Sequence, residues 1–153
     1  APAAFPSDSD PGEFWAVVRQ DADAGSDPTY RVAASQGAGS TSTLREIRRH
    51  VAGGVNVARA ASSGSTALNT GVDLSGRHVL RAVFDSSMRV DVDGVAGSTA
   101  SISLSTVDTR FVIGTWSGIN SHVWDGAIRQ VLVTEPLTSG EAADLLAYLS
   151  EDL

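Results

Sequence analysis

The sequence predicts an all-β protein, a two-sheet antiparallel sandwich with one short C-terminal helix. Three observations lead there. The stretch Arg77 to Gly94, RHVLRAVFDSSMRVDVDG, alternates side chains with a period of two, the pattern of half-buried strands. Roughly ten short runs of that kind recur at spacings near ten residues, which suits a sandwich and not βαβ units. Helical spacing of apolar residues is convincing only from Gly140 to Leu149.

Taken in order, residues 1–12 (APAAFPSDSDPG) are rich in Pro, Ser and Asp and read as an extended N-terminal arm. Residues 13–153 read as a single domain. Ala1-Pro2-Ala3-Ala4 suits either an excised initiator Met or a boundary in a longer chain. Glu13 to Arg19 is a strand with Phe14, Ala16 and Val18 on one face and Trp15 and Val17 on the other, so it should be central and covered on both sides. Thr29 to Ser35 is expected to return antiparallel to it. Thr43 to Val51 is read as a strand, with a helical turn as the alternative, because the Gly53-Gly54 turn and the strand Val55 to Ala61 follow closely. Ser62 to Thr70 is a polar loop or weak edge strand.

The meander at 77–105 is the centre of the prediction. Asp85-Ser86-Ser87 turns between its first two strands, and Asp93-Gly94 is the dipeptide that favours a tight hairpin. The third strand is expected from Thr99 to Ser105. Thr109 to Gly114 and Val123 to Val133 complete the strands, the latter with a bulge at Asp125-Gly126. Thr138 and Glu141 have capping-box spacing and Leu137 sits as the staple. Leu145, Leu146 and Leu149 form one stripe, read as a lid on a sheet edge or an open end of the sandwich.

At 153 residues the chain is long enough to bury about two-thirds of its unfolded surface without staples. With no cysteine, disulfide scaffolds, zinc-thiolate sites and thiol catalysis are excluded. A net charge of −7 argues against a nucleic-acid surface, and no apolar run reaches the roughly 20 residues that span a membrane. The expected partners are therefore a glycan or a protein, with no nucleic acid and no membrane insertion, and with a homo-oligomer or larger particle as a further expectation.

RHVLRAVFDSSMRVDVDG, RFVIGTWSG and VWDGAIRQVLVTEPLTSGEAADLLAYL, in that order, resemble the concanavalin A-like lectin/glucanase superfamily, specifically its laminin-G-like domains. The likeness covers roughly the C-terminal half, and EFWAVVR fits the first long strand of that family. The resemblance implies a jelly-roll sandwich. It does not fix function, since that superfamily includes lectins, adhesion modules, glycanases and phage particle proteins.

Glycanase relatives carry Glu-x-Asp-x-x-Glu on one strand, and this sequence has no such pattern. Asp91 and Asp93 share a strand face beside a turn, while Glu13, Glu46, Glu135 and Glu141 stand isolated. There is no G-x-S-x-G elbow, and His50, His78 and His122 lie too far apart for metal-ligand spacing. His78, alternating with Leu80 and Ala82, is expected as a hydrogen-bonded core residue. No enzymatic activity is expected.

Two loops carry candidate sites. Asp21, Asp23 and Asp27 fall within seven residues and partly match a Ca2+ loop; the plainer reading is a solvated turn. Trp116, Asn120 and His122 combine an aromatic plate with polar partners, as glycan binding requires; the plainer reading packs Trp116 on the arm or a neighbouring subunit. Trp124 occupies the core aromatic position of the family. Arg45, Arg48, Arg49, Arg77, Arg81 and Arg89 suggest either an outer face for an acidic partner or cross-strand pairing with Asp91, Asp73 and Glu46, the second being favoured.

The function expected is a non-catalytic recognition module that binds a cell-surface polysaccharide or a protein through rim loops. The alternative is a structural phage or phage-like particle protein, a head decoration, fibre or spike component that uses the sandwich for assembly and host attachment. An extracellular or virion-surface location follows from either.

Overall fold

The computed structural model describes residues 10–20, 31–36, 45–52, 54–62, 64–103, 111–114, 124 and 126–151. Among them are ten strands and one helix: β1 (Gly12–Gln20), β2 (Arg31–Gln36), β3 (Arg45–Ala52), β4 (Val55–Ser62), β5 (Ser65–Asn69), β6 (Gly76–Phe84), β7 (Ser87–Val92), β8 (Val95–Ser101), β9 (Phe111–Ile113), β10 (Gly126–Thr134) and α1 (Ser139–Ser150). The strands form two five-stranded sheets, β10-β1-β6-β7-β8 and β5-β4-β3-β2-β9. Every pairing is antiparallel. The fold is the expected all-β jelly-roll sandwich with one short C-terminal helix.

The period of two decides what lies between the sheets. Phe14, Ala16, Val18, Leu80, Ala82, Phe84, Met88, Val90 and Val92 point from the first sheet onto Ala34, Ile47, Ala58, Ala60 and Ala67 of the second. The second sheet contributes mainly alanine, so the aromatic bulk comes from its partner. Phe14 packs tilted against Phe84 at 5.2 Å and edge-on against Phe111 at 5.4 Å, both favoured aromatic geometries. Trp124 is buried in the same core, as expected, and its indole N–H donates to the Arg19 carbonyl at 3.2 Å.

The other face of the first sheet carries Trp15, Val17, Val79 and Leu132, and α1 covers it with Ala142, Leu145, Leu146 and Leu149, joined by Leu137 from the turn before the helix. β1 is thus covered on both sides, as its two apolar faces require. The helix lies on a sheet face and not on an edge or open end. The reason is in β1 itself: Trp15 and Val17 need a cover, and the leucine-rich helix supplies one. The capping box of Thr138 and Glu141 is formed as expected.

The expectation that the second strand pairs with the first is corrected. Both edges of β1 are taken, by β10 and β6, and β2 lies in the opposite sheet between β3 and β9. The third meander strand begins at Val95 and not at Thr99. β10 carries a register irregularity opposite Val17/Val18, while Asp125 of the bulge expected at Asp125-Gly126 lies outside the described residues. Asp93 (φ 49°) and Gly94 (φ 81°) are both left-handed, the requirement of a type I′ hairpin that Asp-Gly meets.

One long side of the sandwich is closed by backbone. The register of β7 with β8 shifts between Arg89 and Asp91, so Gly97 and Ser98 together oppose Val90. A Cβ on Gly97 would collide with the carbonyl oxygens of Val90 and Leu68, so β8 can lie against β5 only where no side chain intervenes. Ser98 Oγ accepts from Leu68 N at 2.9 Å, and Asn69 Nδ2 donates to the Val95 carbonyl at 2.6 Å.

Candidate functional site

The strand register places side chains in rows across the outer face of the first sheet. One row runs Leu132, Trp15, Arg81, Asp91, Ala96; the next runs Thr134, Glu13, Val83, Arg89, Thr99. Four charged residues knit the two rows together. Arg81 and Glu13 form a two-pronged pair, Nε to Oε2 at 3.0 Å and Nη2 to Oε1 at 2.6 Å. Arg89 and Asp91 form a second, Nε to Oδ1 at 2.7 Å and Nη2 to Oδ2 at 3.1 Å. Arg81 Nη1 lies 3.6 Å from Asp91 Oδ2 and joins the pairs. Such planar forks fix both partners in orientation.

Glu13, isolated in the sequence, is the hub. It is 1% exposed and accepts two further bonds, from the Trp15 indole N–H at 3.0 Å and from Leu137 N at 3.1 Å. The same carboxylate therefore ties strand, arginine and the turn leading into α1. The signal in the sequence was a carboxylate on the face of Trp15 and Val17, in a strand otherwise apolar on both sides.

Where α1 leaves β7 and β8 uncovered, a cleft of about 270 Å³ opens. Its floor is Trp15, Val79, Arg81 and Asp91; Arg89 lies in its wall, with Gly94 and Ala96 on one side and Ser139, Ala142, Ala143 and Leu146 on the other. Arg81 covers the Trp15 ring at 5.1 Å, a cation–π contact, so the indole face is not offered to a ligand. What the cleft presents is a mostly apolar wall with guanidinium donors, a composition that suits a small polar ring.

The arginine set does not share one face. Arg81 and Arg89 lie on the outer face of the first sheet, Arg48 on β3 pairs with Glu46, and Arg45 and Arg49 have the inward parity of Ile47. Arg45 stacks over Phe84 at 5.6 Å and donates to the Asp10 carbonyl at 2.7 Å; Arg49 donates to Asn56 Oδ1 at 2.9 Å. The acidic partners Glu46 and Asp91 are those favoured from sequence, but only Arg81–Asp91 crosses strands as expected; Arg48–Glu46 and Arg89–Asp91 pair along one strand. Asp73 instead accepts from Ser75 N at 3.2 Å in a local turn.

On the face of β3 turned from the core, Glu46, Arg48 and His50 alternate, with Arg59 opposite Arg48. Burial pushes the Glu46 carboxyl up, against the pull of Arg48 and Arg59. Burial also pushes the His50 imidazole down, helped by Arg59, Arg48 and Arg49. His78 is largely buried and hydrogen-bonded, Nδ1 to Asp93 Oδ2 at 2.7 Å and Nε2 to the Ser75 carbonyl at 3.2 Å.

The glycan candidates Trp116, Asn120 and His122 and the Ca2+ candidates Asp21, Asp23 and Asp27 lie outside the described residues. Among the described residues, no group of three or more His, Cys, Asp or Glu side chains could hold a metal ion.

No protein-family model and no curated protein matches the sequence. Among solved structures, the chain is similar to a Trypanosoma rangeli sialidase in complex with sialic acid. The TM-score is 0.60 and the identity 16%, over 95% of this chain and 24% of the sialidase. The chain thus spans less than a third of that protein, and what the two share at this identity is fold. Sheep galectin-11, solved in complex with glycerol, aligns at a TM-score of 0.39 and 12% identity, over 80% of this chain and 88% of the galectin.

Proposed function

We propose that this chain is a non-catalytic recognition module, a laminin-G-like sandwich that binds glycan in the cleft between α1 and the β7–β8 hairpin. The observation that carries the reading is the cleft itself: apolar small side chains along one wall, rigid guanidinium donors in the other, on a sheet that does not need to move. Sugar rings combine an apolar C–H face with hydroxyl groups that accept and donate, and such a site meets both demands. The sialidase neighbour holds a sugar in its own structure; for this chain the reading rests on the cleft. Recognition of a cell-surface polysaccharide places the module outside the cell or on a particle surface, with Ca2+ as a further ligand of the Asp21–Asp27 loop.

A glycan array run with and without EDTA tests it. Saturable binding abolished by Ala143→Trp, which fills the cleft from an exposed helix position, is the expected result. Binding lost on Trp116→Ala but kept by Ala143→Trp would move the site to the 115–122 loop. No glycan bound, together with a stable homo-oligomer in light scattering, would favour assembly into a particle. Turnover of any polysaccharide would show the module to be an enzyme.

A further inference from the structure

We infer that the cleft selects sugars bearing a carboxylate, of the uronic or sialic acid type, over neutral ones; this rests on the glycan reading above. The inference comes from how the four charges are layered. The carboxylates lie below, with the Glu13 side chain 1% and the Asp91 side chain 8% exposed, while the guanidiniums lie above, at 17% for Arg81 and 38% for Arg89. The network is neutral in sum, but the side offered to a ligand is positive. In a chain of net charge −7 that facet is local, not part of a general basic surface.

Hydrogen-bond capacity points the same way. Arginine has five N–H donors. Arg89 gives two to Asp91, which leaves three, and no described residue accepts them. Arg81 likewise gives two, both to Glu13. Both acidic partners already accept at each oxygen and are turned away from solvent. The cleft is therefore rich in donors and poor in acceptors, which complements a carboxylate better than a hydroxyl, since a hydroxyl also brings a proton to place.

The forks held by Glu13 and Asp91 also fix the guanidinium planes before any ligand arrives, so little side-chain freedom is lost on binding. The first turn of α1 forms the facing wall through Ser139, Ala142 and Ala143. Its dipole adds in the same sense, reduced by the Glu141 carboxylate that caps it.

The test compares each acid with a neutral counterpart of the same skeleton: trigalacturonate against its methyl ester, and sialyllactose against lactose, by calorimetry. Tenfold or tighter binding of the acids is expected, with the preference shrinking several-fold between 50 and 300 mM salt because the facet is partly exposed. Arg89→Gln should bring the acids down to the affinity of the neutral sugars; Asp91 keeps Arg81 as its partner, and circular dichroism checks the fold. Ala143→Glu, which leaves the network intact, should weaken the acids and spare the neutral sugars. Equal binding of acid and neutral forms, unchanged by both variants, would overturn the inference and leave the glycan reading standing. Binding of none of the four saccharides would overturn both.

Discussion

Replacing Glu13 with alanine removes the acceptor for four N–H donors at once: the Trp15 indole, two prongs of Arg81 and the backbone of Leu137. Removing one member of a buried ion pair costs about 3–5 kcal/mol, because the remaining charge stays behind without its partner. The orphaned indole and backbone donors each carry a penalty of about 1–3 kcal/mol. These effects overlap, since Arg81 can turn toward Asp91, 3.6 Å away, and water can reach Leu137. A loss of about 4 kcal/mol is therefore expected. In a domain of this length that lowers Tm by roughly 8–16 °C. Urea unfolding followed by tryptophan fluorescence and far-UV circular dichroism measures it, with an unchanged m-value showing that the denatured state is not the cause. Glu13→Ala combined with Arg81→Met should be less destabilised than the sum of the single variants by at least about 1 kcal/mol, because the second change removes the stranded charge. A Tm drop of under about 3 °C for Glu13→Ala, or strict additivity in the double variant, would refute the reasoning.

Other expectations follow from separate parts of the molecule. Gly97→Ala should destabilise by about 2–3 kcal/mol in denaturant unfolding, because the new methyl meets two backbone carbonyls that cannot swing aside. Thr138→Ala removes the N-cap of α1 and should cost about 1 kcal/mol, seen as faster amide exchange in the helix. Hydrogen bonds from Thr138 hold the Glu141 carboxyl below the usual carboxylate range, so its contribution is present above that range and lost as pH falls through the lowered value. Acid titration of the melting temperature should show that loss in the native chain and less of it in Glu141→Gln. The His50 imidazole is held down by burial and by Arg59, Arg48 and Arg49, so its contribution is full above the ordinary histidine range and declines as pH drops. NMR titration should find it below that range, and Arg59→Ala should raise it.

The meander was legible because its strands alternate cleanly and end on Asp93-Gly94, whose left-handed backbone few other dipeptides supply. The helix was legible from its cap and its three leucines. β8 begins four residues before the sequence suggests because VAGSTAS has a single large apolar residue, the exposed Val95, and so no alternation to mark a face. Its composition answers the close approach of β5, a tertiary demand that leaves no periodic trace. The pairing of β2 was missed because a strand's hydrophobic pattern says which faces are buried but not which neighbour takes its edge. The cleft was half legible. Arg81, Arg89 and Asp91 were expected to pair, but Glu13 was not, since its distance of 68 residues from Arg81 closes only when β1 and β6 align.

The order in which the parts emerge during synthesis gives the cover on Trp15 a further meaning. All ten described strands leave the ribosome before α1, so a nascent sandwich shows Trp15, Val17, Val79 and Leu132 to water until the helix arrives. Until then Glu13 also lacks the Leu137 amide that completes its set of donors. The nascent sandwich is thus at its stickiest just before α1 emerges, and that interval is where a chaperone or a neighbouring nascent chain would find its hold.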